Sequence, residues 1–293
     1  MDPLTILAAL GLAAPSSVEP VKGGVDAAIW RLDHGGKRYA LRVLGSDQAD
    51  QAQREIAAMT AAEAGGIPVP RVVATTTWND RPTLLLTWSP GRPLLEVLLD
   101  DPANHTRVRA LGEEFGRVQA AIHAIPLPSQ LRDSSARWEM WAGPEPDLAS
   151  HLAQVSPGPS ALLHLDYHPL NVLVEGERVT AVLDWANARA GDPRADVART
   201  LSILRLGPLS GGPTATAAGV MRRVIEAGWR KGYEQGAGPF TDLAPFCWWA
   251  GAVMERDLAP RLGRSDIPWL TPGYLARVRR WTAKWKFRSG RER

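Results

Sequence analysis

The sequence predicts an α+β protein of two parts, a small antiparallel sheet followed by a larger, mainly helical region. Three observations carry this. Residues 18–88 fall into short runs of alternating apolar and polar positions, separated by Gly-rich turns, with one helical stretch among them. Ser89-Pro90-Gly91-Arg92-Pro93 then breaks every regularity. Beyond the break, apolar residues recur at spacings of three and four, as in Val108, Leu111, Phe115, Val118, Ile122 and Ile125. The break divides the chain into a unit of residues 1–89 and a unit of residues 90–293. A length of 293 residues suits two domains by the usual ratio of about 150 residues each.

The elements follow in order. Asp2 is placed to cap a short first helix, with Pro3 at its first position and Gly11 closing it. Strands are expected at 18–21, 27–32 and 38–44. They are joined by the turns Lys22-Gly23-Gly24-Val25-Asp26 and His34-Gly35-Gly36-Lys37. A helix over 47–64 starts at Asp47 as N-cap and ends at Gly65-Gly66. Residues 71–75 and 83–88 complete a five-stranded sheet. After the long amphipathic helix, Pro157-Gly158-Pro159 introduces a β-rich segment, 161–185. Helix dominates again beyond Asp196, through Ile225, Trp249 and Trp281.

Composition narrows the function classes. With 45% hydrophobic and 22% charged residues the chain is of the globular type. Thirty-four basic and 31 acidic residues leave a net charge of +3, too balanced for a nucleic-acid partner on charge alone. No apolar run approaches the roughly 20 residues that span a bilayer. Asp2 stands where a secretory signal needs a basic residue. The single cysteine, Cys247, rules out an internal disulfide framework and a cysteine zinc cluster. The expectation is a cytoplasmic protein without nucleic-acid or membrane partners, its oligomeric state left open.

The chemistry concentrates in His164-Leu165-Asp166-Tyr167-His168-Pro169-Leu170-Asn171, followed by Val182-Leu183-Asp184-Trp185 after a short hairpin. Phosphoryl transfer needs a carboxylate to accept a hydroxyl proton and hard oxygen ligands for a metal bridging the phosphates. Asp166 fits the first role. Asn171, on the same tight loop, and Asp184, ending a strand, fit the second, with Mg2+ as the metal.

This segment resembles the catalytic loop and metal-binding strand of the aminoglycoside phosphotransferase and choline-kinase-like enzymes, a branch of the protein-kinase-like fold. That family writes H-G-D-x-x-x-x-N and then D-W, and here Leu165 stands in place of the Gly. Gly191-Asp192-Pro193-Arg194-Ala195-Asp196-Val197-Ala198 is similar to its G-D-P-x-x-D-L-A stretch. The resemblance implies a bilobal protein-kinase-like fold, with a small antiparallel-sheet N-lobe and a larger, mainly helical C-lobe. It implies phosphoryl transfer from ATP, or GTP, to a hydroxyl of a small molecule such as an aminoglycoside or related antibiotic, choline, homoserine or a sugar. Gly23 and Gly24 would cover the phosphates, though without the downstream motif an ordinary hairpin turn is the better account of them. Arg42 takes the third-strand position where kinases carry Lys; an Arg keeps the charge and adds a fork that fits carboxylate and phosphate. Glu55 is either its helical partner or a solvated helix-face acid. Trp88 and Ser89 would form the hinge that meets the adenine. A nucleotide-binding protein without turnover is the alternative, and the intact Asp166, Asn171 and Asp184 speak against it.

The remaining conspicuous residues read as structural. His164 braces the loop, Asp196 fixes it, Asp192 caps a turn and His123 packs in the core. Trp248 and Trp249 are core candidates and Cys247 is expected buried and inert. Glu255 and Asp257 could grip an amine-bearing substrate, but read first as a solvated helix face. Leu275, Val278, Trp281 and Trp285 form a docking stripe, leaving the basic residues of the C-terminal stretch in solvent.

Overall fold

The computed structural model describes residues 1–21, 27–156, 158–208 and 215–291. It opens with α1 (Pro3–Ala9), whose N-cap Asp2 accepts hydrogen bonds from the Leu4 amide and the Thr5 hydroxyl. Strands β1 (Ser17–Pro20), β2 (Ala28–His34) and β3 (Lys37–Val43) precede α2 (Ala49–Ala64). Strands β4 (Val72–Trp78) and β5 (Arg81–Thr87) follow. All five pair antiparallel in the order β1-β2-β3-β5-β4. Gly35 and Gly36, at φ +57° and +72°, make the two-residue turn whose twist matches right-twisted strands. Asn79 and Asp80, at +47° and +59°, do the same between β4 and β5, which lengthens both strands beyond the sequence expectation. One further boundary differs. The cap position of α2 is Gln48, not Asp47, because the Gln48 side chain closes the preceding turn on the Gly45 amide and delays the helix.

Both faces of the sheet are covered. Leu41, Val43, Leu32 and Leu85 pack against Ile6 and Leu7 of α1. Leu84 and Leu86 face the other way, into the cluster that contains Ala58 and Met59 of α2. A strand buried on both sides reads as a continuous apolar run, as Leu84-Leu85-Leu86 does. In β3 the residues alternate instead, so Arg42 projects opposite to Leu41 and Val43.

After Gly91 the chain is not wholly irregular. Arg92 and Pro93 form β6, which pairs with Leu173 and Val174, and α3 (Leu94–Asp100) follows, an element the sequence reading left out. The helical region comprises α4 (His105–His123), α5 (Ser129–Arg132), α6 (Pro146–Gln154), α7 (Pro193–Leu206), α8 (Ala215–Ala237), α9 (Ala244–Leu258) and α10 (Pro272–Ser289). Between α6 and α7 lie β7 (Ala161–Leu163), β8 (Val172–Glu175), β9 (Arg178–Val182) and β10 (Arg189–Gly191). They form a β6-β8-β9 sheet and a β10-β7 pair. The backbones of α4 and α8 touch. A Cβ on Gly116 would lie 2.0 Å from the Trp229 carbonyl oxygen, and one on Gly232 1.9 Å from that of Glu113. Helix α10 docks on α9 through Val278 and Trp281, whose indole donates to the Cys247 carbonyl at 3.0 Å. Trp248, Trp249 and Cys247 are buried, and burial pushes the Cys247 thiol up to about 12, so it stays protonated. Among the described residues no helix is long and apolar enough to cross a membrane.

Candidate active site

Residues 164–171 turn tightly between β7 and β8. Leu165 adopts φ +62°, a left-handed conformation that costs about 1–2 kcal/mol for a residue with a side chain. Buried Asp196 holds it there. One Asp196 oxygen accepts from the Leu165 amide at 2.6 Å and the other from the His164 amide at 3.2 Å. Asp196 sits on α7, whose start is set by the Asp192 N-cap accepting from the Arg194 amide. His123 Nε2 lies 2.9 Å from Asp196, and its Nδ1 lies 2.7 Å from the Tyr233 hydroxyl. Burial alone would push Asp196 up; the hydrogen bonds and charge of His123, with the His164 amide, outweigh it and hold the carboxyl below its usual range.

The remaining loop contacts are equally buried. Fully buried His164 donates from Nε2 to the Leu183 carbonyl at 3.0 Å and accepts the Asp166 amide at Nδ1. Its burial lowers the imidazole pKa, so the ring is neutral. Tyr167 stacks on Phe115 and donates to the Phe115 carbonyl at 2.8 Å. Buried Gln119 joins Trp229 of α8 to Thr200 of α7, and Thr200 donates to the Tyr167 carbonyl. Sequence reasoning missed Gln119, since its partners come from other helices.

On this base the structure brings three predicted site residues together. The Asn171 amide nitrogen donates to both the carbonyl and a carboxylate oxygen of Asp166, each at 3.1 Å. The Asn171 carbonyl accepts the Leu183 amide at 2.8 Å, which places Asp184 beside the loop. Burial works to raise Asp166, but His168 at 3.6 Å, then Arg199 and His164, overcome it and lower it to about 2. Asp166 is therefore a carboxylate at neutral pH.

Asp184 itself turns at φ +60° and is half-exposed. Arg42 reaches it from β3 with Nη2 at 3.5 Å and pairs through Nη1 with fully buried Glu55 of α2. Burial opposes the charge on Arg42, and the Glu55 and Asp184 carboxylates outweigh it, raising its pKa. Arg42 Nε and Glu55 Oε2 are buried without a hydrogen-bond partner among the described residues. Trp88 and Ser89 line a cavity of about 950 Å3 at the hinge, together with Arg38, Tyr39, Arg71 and Gly91. Neither Arg42 nor Asp166, Asn171 or Asp184 lines it, and the Trp88 ring meets Arg31. Gly23 and Gly24 lie outside the described residues.

Among the described residues no three His, Cys, Asp or Glu side chains converge as a ready-made metal cage. The donors at hand are the Asn171 amide oxygen, turned away from Asp166, and the half-exposed Asp184 carboxylate. Such a sparse, hard set fits Mg2+, which keeps water and takes further oxygens from phosphates.

The structure also corrects one reading. Glu255 pairs with Arg279 at 2.6 Å on the surface, but Asp257 is half-buried, beside Trp141 and near Arg199. Arg199 itself, 6% exposed, donates from Nε to the Leu165 carbonyl at 3.4 Å and stacks its guanidinium on Trp141 at 5.0 Å. Sequence reasoning singled out neither Arg199 nor Trp141; a Trp and an Arg 58 positions apart leave no local signal of contact.

The phosphotransferase enzyme family matches residues 17–249. Over 95 residues the chain is 32% identical to YcbJ, an uncharacterized protein of Bacillus subtilis strain 168, a match spanning 32% of this chain and 29% of that protein. A Ralstonia eutropha JMP134 protein described as a candidate aminoglycoside phosphotransferase superimposes with a TM-score of 0.71 at 21% identity, covering 98% of this chain and 97% of that one. Amicoumacin kinase hAmiN, solved with AMP-PNP, Ca2+ and Ami, gives 0.69 at 15% identity, covering 98% and 94%. A thermostable mutant of aminoglycoside phosphotransferase APH(4)-Ia, solved with ADP and hygromycin B, gives 0.61 at 19% identity, covering 95% and 98%. These likenesses show the bilobal, protein-kinase-like α+β fold.

Proposed function

The chain belongs to the phosphotransferase enzyme family and is a small-molecule kinase, and from that premise we propose that it moves the γ-phosphoryl of ATP to an acceptor hydroxyl, with Asp166 as base. The observation that supports this best is the hydrogen-bonded unit of Asp166, Asn171 and the Leu183-Asp184 turn. It gathers a permanently ionised carboxylate and two oxygen donors at one point. The AMP-PNP and ADP complexes of similar folds support a nucleotide ligand, with GTP not separated from ATP. We place the nucleotide-binding unit at residues 1–89 and the catalytic and acceptor-binding unit at 90–293.

Asp166 accepts a hydrogen bond from the acceptor hydroxyl, aims its oxygen in line with the γ-phosphorus and takes its proton. As the new O–P bond forms, the bond between the γ-phosphorus and the β-phosphate oxygen breaks. Asn171 and Asp184 would hold Mg2+, which neutralises phosphate charge when bound. Arg42, steadied by Glu55, meets the phosphates with its remaining hydrogen-bonding capacity, a charge aimed in advance. Trp88 and Ser89 offer hinge backbone to the nucleotide base; the phosphate-covering role expected of Gly23 and Gly24 falls outside the described residues.

The test is ATP consumption across a panel of hydroxyl compounds, with Asp166→Ala as control. Removing a general base lowers kcat by about 10²-fold or more, while Mg-ATP binding by calorimetry survives. Near-normal turnover in that variant removes Asp166 from the mechanism.

A further inference from the structure

Arg199 stacks on Trp141 next to the loop that carries Asp166, and Asp257 lies near both. Arg199 Nη1 is buried and has no hydrogen-bond partner among the described residues. Asp257 is half-buried, and burial pushes its carboxyl up against the pull of Arg199 and the Trp141 side chain. The two opposite charges influence each other yet form no ion pair, and Asp257 has none with any described residue. Charges withdrawn from water without a matched partner are costly. Arg199 brings them close to the base, since it donates to the carbonyl of Leu165, directly before Asp166.

The neighbouring charges are already engaged. Arg222 and Arg277 donate to carbonyls at the end of α7, those of Leu204, Gly207 and Leu206. Arg256 donates to the Met140 and Trp141 carbonyls, which fixes the segment carrying the indole. Glu255 belongs to Arg279. What is left beside the indole is the Arg199 cation and the Asp257 carboxylate, on which the Arg261 charge also acts. A polyamine would require several carboxylates, and the wall offers one.

We propose that Arg199 and Asp257 form a dipolar acceptor subsite that selects hydroxyl compounds carrying both a carboxylate and a protonated amine. This rests on the phosphotransfer reading above. The guanidinium takes the carboxylate through charge-assisted hydrogen bonds and Asp257 takes the ammonium. Neither group reacts; together they orient the acceptor so that its hydroxyl reaches Asp166.

The experiment measures ADP release from Mg-ATP with matched acceptors. L-serine, L-threonine and L-homoserine carry both charges; 4-hydroxybutyrate lacks the amine of homoserine and 3-aminopropan-1-ol lacks its carboxylate. Kanamycin supplies a polycation and glucose a neutral polyol. The zwitterions are expected to show the highest kcat/KM, each missing charge costing about tenfold or more. Asp257→Asn should erase the preference for homoserine over 4-hydroxybutyrate, acting on acceptor KM more than kcat. Arg199→Lys should weaken the preference over 3-aminopropan-1-ol. A higher kcat/KM on kanamycin or glucose overturns the inference. So does equal turnover of homoserine and its one-charge analogues, or no zwitterion turnover while Mg-ATP binds. Absence of both ADP release and Mg-ATP binding instead overturns the phosphotransfer reading.

Discussion

Asp166 stands on a loop whose His164 and Leu165 amides, Tyr167 carbonyl and Tyr167 hydroxyl are tied to buried partners in α4 and α7. Asp184, on the neighbouring turn, is half-exposed and has Arg42 at 3.5 Å as its ion-pair partner. Beneath Asp166 the loop amides and the Tyr167 carbonyl are satisfied within the protein, Arg199 Nη1 being the exception. Around Asp184 the neighbouring ion pair is not, since Arg42 Nε and Glu55 Oε2 lack partners among the described residues. A saturated buried network fixes one geometry, whereas spare hydrogen-bonding capacity awaits a partner. The base is thus held permanently, and the groups facing phosphate and metal can exchange contacts as nucleotide enters and leaves.

The largest expected effect comes from breaking the saturated side. Asp196→Ala removes the acceptor of two loop amides and the partner of His123, leaving buried donors unmet. Breaking such a buried pair costs about 3–5 kcal/mol, to be read as a lower urea midpoint by circular dichroism. Left-handed Leu165 also loses its clamp, so turnover should fall beyond what stability explains. The acid response has a definite sign. Asp196 in the fold is held below an unfolded aspartate, whose value is about 3.9. Its contribution is therefore complete above that value and lost as pH falls through the lower folded one. Wild-type stability should drop steeply below about pH 4, and the Asp196→Ala curve should be flatter there. Equal acid slopes for the two proteins would contradict the buried-anchor reading.

A smaller effect, of a different kind, is expected on the open side. Asp184→Asn keeps the shape and removes the charge of a half-exposed group, so the urea midpoint should hardly move. Mg-nucleotide affinity should weaken by about 10- to 100-fold, the scale of a charge-assisted contact, while metal-free nucleotide binding changes less. Calorimetry with and without Mg2+ separates the two. Unchanged Mg-nucleotide affinity would take Asp184 out of the metal site and dissolve the contrast with Asp166.

Legibility follows the same divide. What depends on adjacent residues was readable, such as the Asp2 and Asp192 caps, the Gly35-Gly36 turn and the spacing of Asp166 to Asn171. Arg42 on the face opposite Leu41 and Val43 followed from strand alternation alone. What depends on distant partners was not. Gln119 looks like an ordinary polar helix residue until Trp229 and Thr200 close on it. Asp257 looks solvated until Trp141 and Arg199 lie beside it. Even Asp47, a sound cap by composition, yields to a Gln48 side chain that closes the turn first.

The smallest effect tests the contrast most finely, because it asks whether Arg42 belongs to the fold or to the nucleotide. Its guanidinium is largely buried and pairs with Glu55, which favours a structural role. It also reaches Asp184, across the cleft, which favours a functional one. If it meets phosphates, Arg42→Ala should lower kcat/KM for nucleotide strongly, and Arg42→Lys should keep part of it by restoring charge without the fork. Glu55→Ala alone should cost less, because the phosphates still attract the arginine. In the double variant the losses should fall short of their sum, with a coupling of about 0.5–3 kcal/mol for residues in contact. Each kcat/KM is compared with the urea midpoint of the same variant. A coupling seen in stability but absent from kcat/KM would make the pair a strut between β3 and α2. A coupling present in both would show one ion pair serving the fold and the phosphates together, which the two carboxylates around Arg42 already suit.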